Sequence, residues 1–204
     1  MAGVGPARPG RWSQTKWARH AALSDGSLVR SPALSYNCAM IHLTTGRLLL
    51  RDWRASDLDA WAAINADPEV RQHLGDGTPA DRKDAWHMMA AAAGNQALNG
   101  FGMWAAEERA TGRLIGRIGL YQPPHFPDLE VNWLLGRHWW GKGLAHEGAA
   151  ACIEHAFIGL DRPTVSAFIN AGNTRSIELA LRLDMVEKGE PWPGVHQFQR
   201  RRET

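Results

Sequence analysis

Between Glu130 and Glu147 the chain reads E-V-N-W-L-L-G-R-H-W-W-G-K-G-L-A-H-E, and this stretch limits the possible fold more than any other. An apolar run suited to a strand passes through a turn holding Gly141 and Gly143 and continues as a helix. Glycines at such a junction let the backbone approach a ligand closely and adopt φ > 0. The free N–H groups of the first helical turn then point into the space above it, and the helix dipole favours an anion there. The dipole alone contributes only about 0.3–1 kcal/mol per exposed interaction, so several N–H groups converging on one phosphate matter more. Lys142 adds a mobile positive charge. The chemistry is that of a phosphate or pyrophosphate site, although a tight strand–helix connection with no ligand would show the same G-x-G.

Other phosphate loops fit poorly. A Walker loop needs Ser or Thr after G-K, whereas Gly143 follows Lys142 and Leu144 comes next; the dinucleotide fingerprint needs a third glycine where His146 stands. His146, Glu147, Glu154 and His155 lack H-E-x-x-H spacing, so no metal site is expected. The two cysteines, Cys38 and Cys152, are far apart and suggest neither a disulfide framework nor a metal site, which points to a reducing cytoplasm.

The rest of the chain supplies a mixed set of elements. Residues 47–53 suit a first strand. Ser56 ahead of Asp57 and Asp59 reads as an N-cap, with Leu58, Trp61, Ala62 and Ile64 spaced for a helix. Residues 80–98 read as a second helix, with Trp86, Met89, Ala93 and Ala97 along one face. Strands are predicted at Phe101–Glu107, Leu114–Tyr121, Glu130–Leu135 and Thr164–Ile169. Helices are predicted over 143–159 (inward Leu144, Cys152, Ile153, Ala156 and Phe157) and over Asn173–Leu183 (Ile177, Ala180, Leu181 and Leu183). A short closing hairpin is expected from Met185–Lys188 and Val195–Arg200, with the Arg200–Arg202 run as a solvated end. The order β-α-α-β-β-β-α-β-α-β-β gives an α/β (α+β) class: a mixed, mostly antiparallel central sheet of six to seven strands flanked by about four helices.

Residues 1–43 show no periodicity and hold five of the 23 basic residues but one of the 21 acids. They read as a disordered tail, a targeting segment or the product of a start set too early, with Met40 as the alternative start. The single domain then spans 44–204. Its 18 basic and 20 acidic residues leave it near neutral, without the basic stripe that nucleic acid requires. No apolar run approaches the length of a membrane span. A monomer or homodimer is expected.

The central stretch resembles the acetyl-CoA-binding segment of the GNAT N-acetyltransferases, and within them the ribosomal-protein-alanine branch, which typically reads E-I-G-Y-W-L-x-x-x-Y-W-G-x-G-x-A-x-E-A. The similarity runs from Thr45 to about Lys188, about 70 % of the chain. It takes in T-x-R-L-x-L-R (Thr45–Arg51), D-P-E-V (Asp67–Val70) and N-x-x-S (Asn173–Ser176). The resemblance implies a GNAT fold and a direct transfer of acetyl from acetyl-CoA to a primary amine, without an acyl-enzyme or a metal. The amine is a protein N-terminus or a small molecule such as an antibiotic or polyamine. By position, Trp140, Gly141, Lys142, Gly143, Leu144 and Ala145 would wrap the pyrophosphate. The backbone of Leu134 and Leu135 would pair with the pantetheine arm, with an N–H as oxyanion donor. Asn173 and Ser176 would stand by the thiol end. Glu130 is the candidate base, with His138 the weaker alternative. The family's helix Tyr aligns with Ala180, so Ser176 is the candidate donor to the thiolate. Asp184 replaces a family glycine and should have to adopt φ > 0. A non-catalytic acyl-CoA-binding regulator and an unrelated nucleotide binder are the rival readings.

Overall fold

The computed structural model describes residues 40–124 and 126–203. Residues 1–39, where the tail, targeting and start alternatives mostly fall, lie outside them, as does Cys38.

The described chain runs β1 (Ile41–Thr44), β2 (Leu48–Arg51), a 3-10 turn (Ala55–Asp57), α1 (Leu58–Asn65), α2 (Pro68–Arg71), α3 (Arg82–Asn99), β3 (Met103–Glu108), β4 (Arg113–Tyr121), β5 (Glu130–Leu135), a 3-10 turn (Arg137–Trp139), α4 (Leu144–Ile158), β6 (Thr164–Asn170), α5 (Thr174–Arg182), β7 (Val186–Trp192) and β8 (Val195–Arg201). All eight strands form one sheet in the order β1-β2-β3-β4-β5-β6-β8-β7. This exceeds the predicted six to seven strands. The additional strand, β1, lies almost wholly within the segment assigned to a tail; its Ile41 pairs with Arg51 and its Leu43 with Leu50. The closing hairpin is also longer than predicted, with seven residues in each strand. Pro191 is tolerated in β7 because β7 is an outer edge strand, where a missing N–H breaks no ladder bond.

Helices cover both faces of the sheet. On one face α4 and α5 bury Leu144, Cys152, Ile153, Ala156, Phe157, Leu179 and Ala180 against Leu48, Ile118, Val131 and Leu135. All five residues predicted to point inward from α4 do so. On the other face, Trp61 of α1, Val70 of α2, and Ala85 and Met89 of α3 close over Leu134. Here the structure corrects the α3 face. Ala85, Met89 and Ala92 point inward, whereas Trp86 is exposed, because Gln96 must face Trp104 to accept its indole N–H at 2.8 Å. Leu181 of α5 is likewise exposed.

Ser56 does not cap α1. Asp57 begins that helix and is buried, taking both terminal nitrogens of Arg51 at 2.8 and 2.9 Å and the Arg54 N–H at 2.7 Å. Arg51 also donates to Glu107 at 2.7 Å. The late arginine run is not a free end, since Arg202 bonds Phe157 O and Asp161 and Arg200 reaches Leu183 O. Asp184 takes the left-handed conformation expected of it, at φ 58°. No helix among the described residues is long and apolar enough to cross a membrane.

Candidate active site

The site is built around a break in the sheet. β5 and β6 run parallel but share a single rung, Glu130 with Ser166, where the Ser166 N–H reaches Leu129 O at 2.9 Å. Beyond that rung the ladder between them stops. Residues of β5 alternate in the edge their backbone presents. Gly136 N–H bonds Ile115 O on the β4 side while Leu129 O serves β6, so Val131, Trp133 and Leu135 turn their backbone groups to the gap. Leu134, in register with Arg117, turns its own to β4. Of the residues expected to pair with the pantetheine arm, Leu135 turns its backbone to the gap, whereas Leu134 faces β4 and Trp133 faces the gap beside it. The Leu135 carbonyl is already engaged, accepting the Trp140 indole N–H at 2.8 Å.

The glycine turn lies at the C-terminal end of β5. Gly141 (φ 72°) and Gly143 (φ 75°) both adopt left-handed backbone, and Gly143 caps α4. Nothing lies within 4 Å of where a Cβ on Gly141 would stand, so space is open above the turn. Lys142 is exposed, its ammonium 4.8 Å from the Trp139 ring. Leu144 and Ala145 form the first helical turn, with Leu144 buried beneath it. Open space over Gly141, at a helix start and beside the exposed Lys142, suits a pyrophosphate.

Two residues of this turn escaped the sequence reading. Arg47 donates to Lys142 O at 2.8 Å and to Glu147 at 2.6 Å, and Thr45 also bonds Glu147 at 2.6 Å. Partial burial would push the Glu147 carboxyl up, but the hydrogen bonds from Thr45 and Arg47 outweigh it and hold the group below its ordinary range. The clamp spans a hundred residues, which no local pattern reveals. Arg175, in the first turn of α5, stacks over Trp140 at 4.6 Å, a second cation at the turn.

Across the gap, Asn173 caps α5 by accepting the Ser176 N–H at 3.2 Å. The Ser176 hydroxyl accepts the Trp133 indole N–H at 3.3 Å. That bond uses an oxygen lone pair and leaves the hydroxyl hydrogen free to donate.

Glu130 stands at the other end of β5, 5 % exposed. Asn132 donates to it at 2.9 Å. Burial pushes its carboxyl up to about 7, against the opposing pull of the Asn132 hydrogen bond and the Arg117 charge. No ion pair joins it to Arg117 within 4.0 Å. His138 is exposed, its ring edge-on to Trp139. The five β5 residues after Glu130, at about 3.3 Å each, lie between it and His138, so the two cannot serve one amine. Cys152 is fully buried, which pushes its thiol up and makes it no nucleophile. Among the described residues no group of three or more His, Cys, Asp or Glu is placed to hold a metal ion.

The family model described as "Acetyltransferase (GNAT) domain" matches residues 47–186. The chain belongs to the GNAT acetyltransferase family. It is 29 % identical over 154 residues to the uncharacterized N-acetyltransferase p20 of Bacillus licheniformis, a match covering 72 % of this chain and 83 % of that one. It is 31 % identical over 93 residues to YkkB of Bacillus subtilis, where the match spans 45 % of this chain and only 54 % of the relative. The crystal structure of an acetyltransferase from Agrobacterium tumefaciens superposes with a TM-score of 0.71 at 29 % identity, covering 78 % of this chain and 94 % of the other. This GNAT chain thus keeps the family's fold through the gap between β5 and β6.

Proposed function

We propose that this GNAT protein is an N-acetyltransferase that moves acetyl from acetyl-CoA directly to a primary amine, both bound at once. The observation that carries the reading is the one-rung gap, with a phosphate-suited turn at one end and a buried carboxylate of pKa about 7 at the other. Trp140, Gly141, Lys142, Gly143, Leu144 and Ala145 hold the pyrophosphate, joined by Arg175. The gap-facing N–H groups of Trp133 and Leu135 meet the pantetheine arm, and one of them polarises the acyl oxygen. Bound acetyl-CoA supplies a thioester whose C–S bond breaks as the amine nitrogen bonds the acyl carbon. Glu130 takes the proton the amine gives up, directly or through a water. Ser176, its lone pair held by Trp133, gives its hydroxyl hydrogen to the departing sulfur, and Asn173 fixes the helix turn that carries it.

The test is acetyl-CoA-dependent thiol release over a panel of amines, with product masses. Tight CoA binding without turnover on any amine would favour the regulatory reading, and ATP or NAD binding without CoA binding would favour an unrelated nucleotide site. Two variants check the placement. Gly141→Asp, whose side chain would enter the open space over the turn, sets a negative charge against the phosphates. The loss of two charge-assisted hydrogen bonds predicts weaker CoA binding by about 100-fold or more; calorimetry showing unchanged affinity would remove the turn from the site. Ser176→Ala should lower kcat by about 10–100-fold with CoA affinity retained. An unchanged kcat would leave Ser176 with only its contact to Trp133.

A further inference from the structure

We propose that Arg117 reads an anionic group on the acceptor, so that the amine acetylated here carries a carboxylate, as an amino acid does. The inference rests on the acetyltransferase reading and names its substrate class.

The chain leaves four buried side-chain polar atoms without a hydrogen-bond partner among the described residues, and three of them lie together: Trp61 Nε1, Asn65 Oδ1 and Arg117 Nε. The guanidinium sits 5.8 Å from the Trp61 ring. Trp61 and Asn65 are one helical turn apart on α1, joined by a bond from the Asn65 amide to Trp61 O at 2.8 Å. The Arg117 side chain makes no hydrogen bond and no ion pair among the described residues. Arg51, in register with it across β3, is buried with two carboxylates, so the fold does supply counter-ions where a cation is structural. Arg117 is half-buried with its Nε sealed from solvent, and a guanidinium held there without a counter-ion is costly. Its fork of donors suits a planar carboxylate.

The placement fits the reaction. The β4–β5 register sets Arg117 beside Leu134 and Tyr121 beside Glu130, which puts Arg117 and Glu130 on the same face of the sheet. Four strand residues, about 13 Å, part their Cα positions along β4. Two long side chains shorten that to a span a small amino acid bridges, amine toward Glu130 and carboxylate toward Arg117. Burial lowers the pKa of the guanidinium, the Glu130 charge opposes that shift, and Arg71 adds to it. An incoming carboxylate would relieve both the burial penalty and the repulsion. A polyamine would instead bring more positive charge to a cation that has no partner.

The experiment compares free amino acids with their carboxamides and with a diamine, by thiol release at saturating acetyl-CoA. The native protein should prefer acid over amide by roughly 10–100-fold in kcat/KM. In Arg117→Met that preference should collapse while CoA affinity, read by calorimetry, stays as in the native protein. Arg117→Lys, which keeps the charge, should retain part of it. Should Arg117→Met not fold, the native ratio and the lysine variant carry the test. Amides or diamines turned over as well as the acids would overturn the inference and leave the acetyltransferase reading standing, as would a preference that survives Arg117→Met. CoA binding with no turnover on any amine would overturn both, and is recognised by the silence of every arm.

Discussion

Replacing Glu130 with Gln is expected to lower turnover by about 10²–10⁴-fold, the range for loss of a positioned general base. CoA affinity should stay near normal, because Glu130 lies a full strand length from the glycine turn. The pH profile is the sharper readout. With the native carboxyl at about 7, kcat/KM should climb between pH 6 and 8 and level off above; the Gln variant should lose that rise. Stability should move the other way. The folded pKa lies above the ordinary 4.5, so the folded state holds a proton that the unfolded chain has released between those values. The stability this group contributes is therefore complete below pH 4.5 and lost as pH rises through 7, at a cost of about 3 kcal/mol above it. Urea unfolding at pH 5 and pH 8 checks the sign. Glu130→Gln should gain on the native protein at the higher pH, and an equal difference at both would mean that the carboxylate is well solvated.

The second large effect is structural. Arg51→Met should destabilise the fold by about 3–5 kcal/mol, because it takes the counter-ion from buried Asp57 and leaves buried Glu107 with only the half-exposed Arg54. That is a large share of the 5–15 kcal/mol typical of a domain. Asp57 begins α1, so its loss also frees the helix that carries Trp61 over the Glu130 face. The triple variant Arg51→Met, Asp57→Asn, Glu107→Gln removes the charges together and should recover most of the loss in a urea titration. If the single variant unfolds within 1 kcal/mol of the native chain, the cluster is solvated and does not hold α1.

The sequence shows the sheet and the donor half of the site because both are written locally. The β5 strand bounds were predicted residue for residue, and Gly141 and Gly143 adopt the backbone their identity suggests. What it hides is long-range. Strand β1 lacks periodicity in four residues and exists through pairing with β2. The Arg47–Glu147 clamp joins positions a hundred residues apart. Ser56 looked like a helix cap because nothing nearby announces that Asp57 is committed to Arg51. The motif locates the splay near Leu134 and Leu135, but the edge each residue presents depends on the register with β4. From the sequence Arg117 is a possible salt-bridge partner of Glu130, and only three-dimensional packing shows that its guanidinium pairs with no carboxylate among the described residues.

A sheet whose central rungs end after Glu130 and Ser166 has four edges rather than two. The inner pair would be a template for stray strands, the hazard that outer edges usually pose. Here Trp133 reaching Ser176 and Arg175 lying over Trp140 stand across the opening. The side chains that shape the cleft also stand where a stray strand would have to pair.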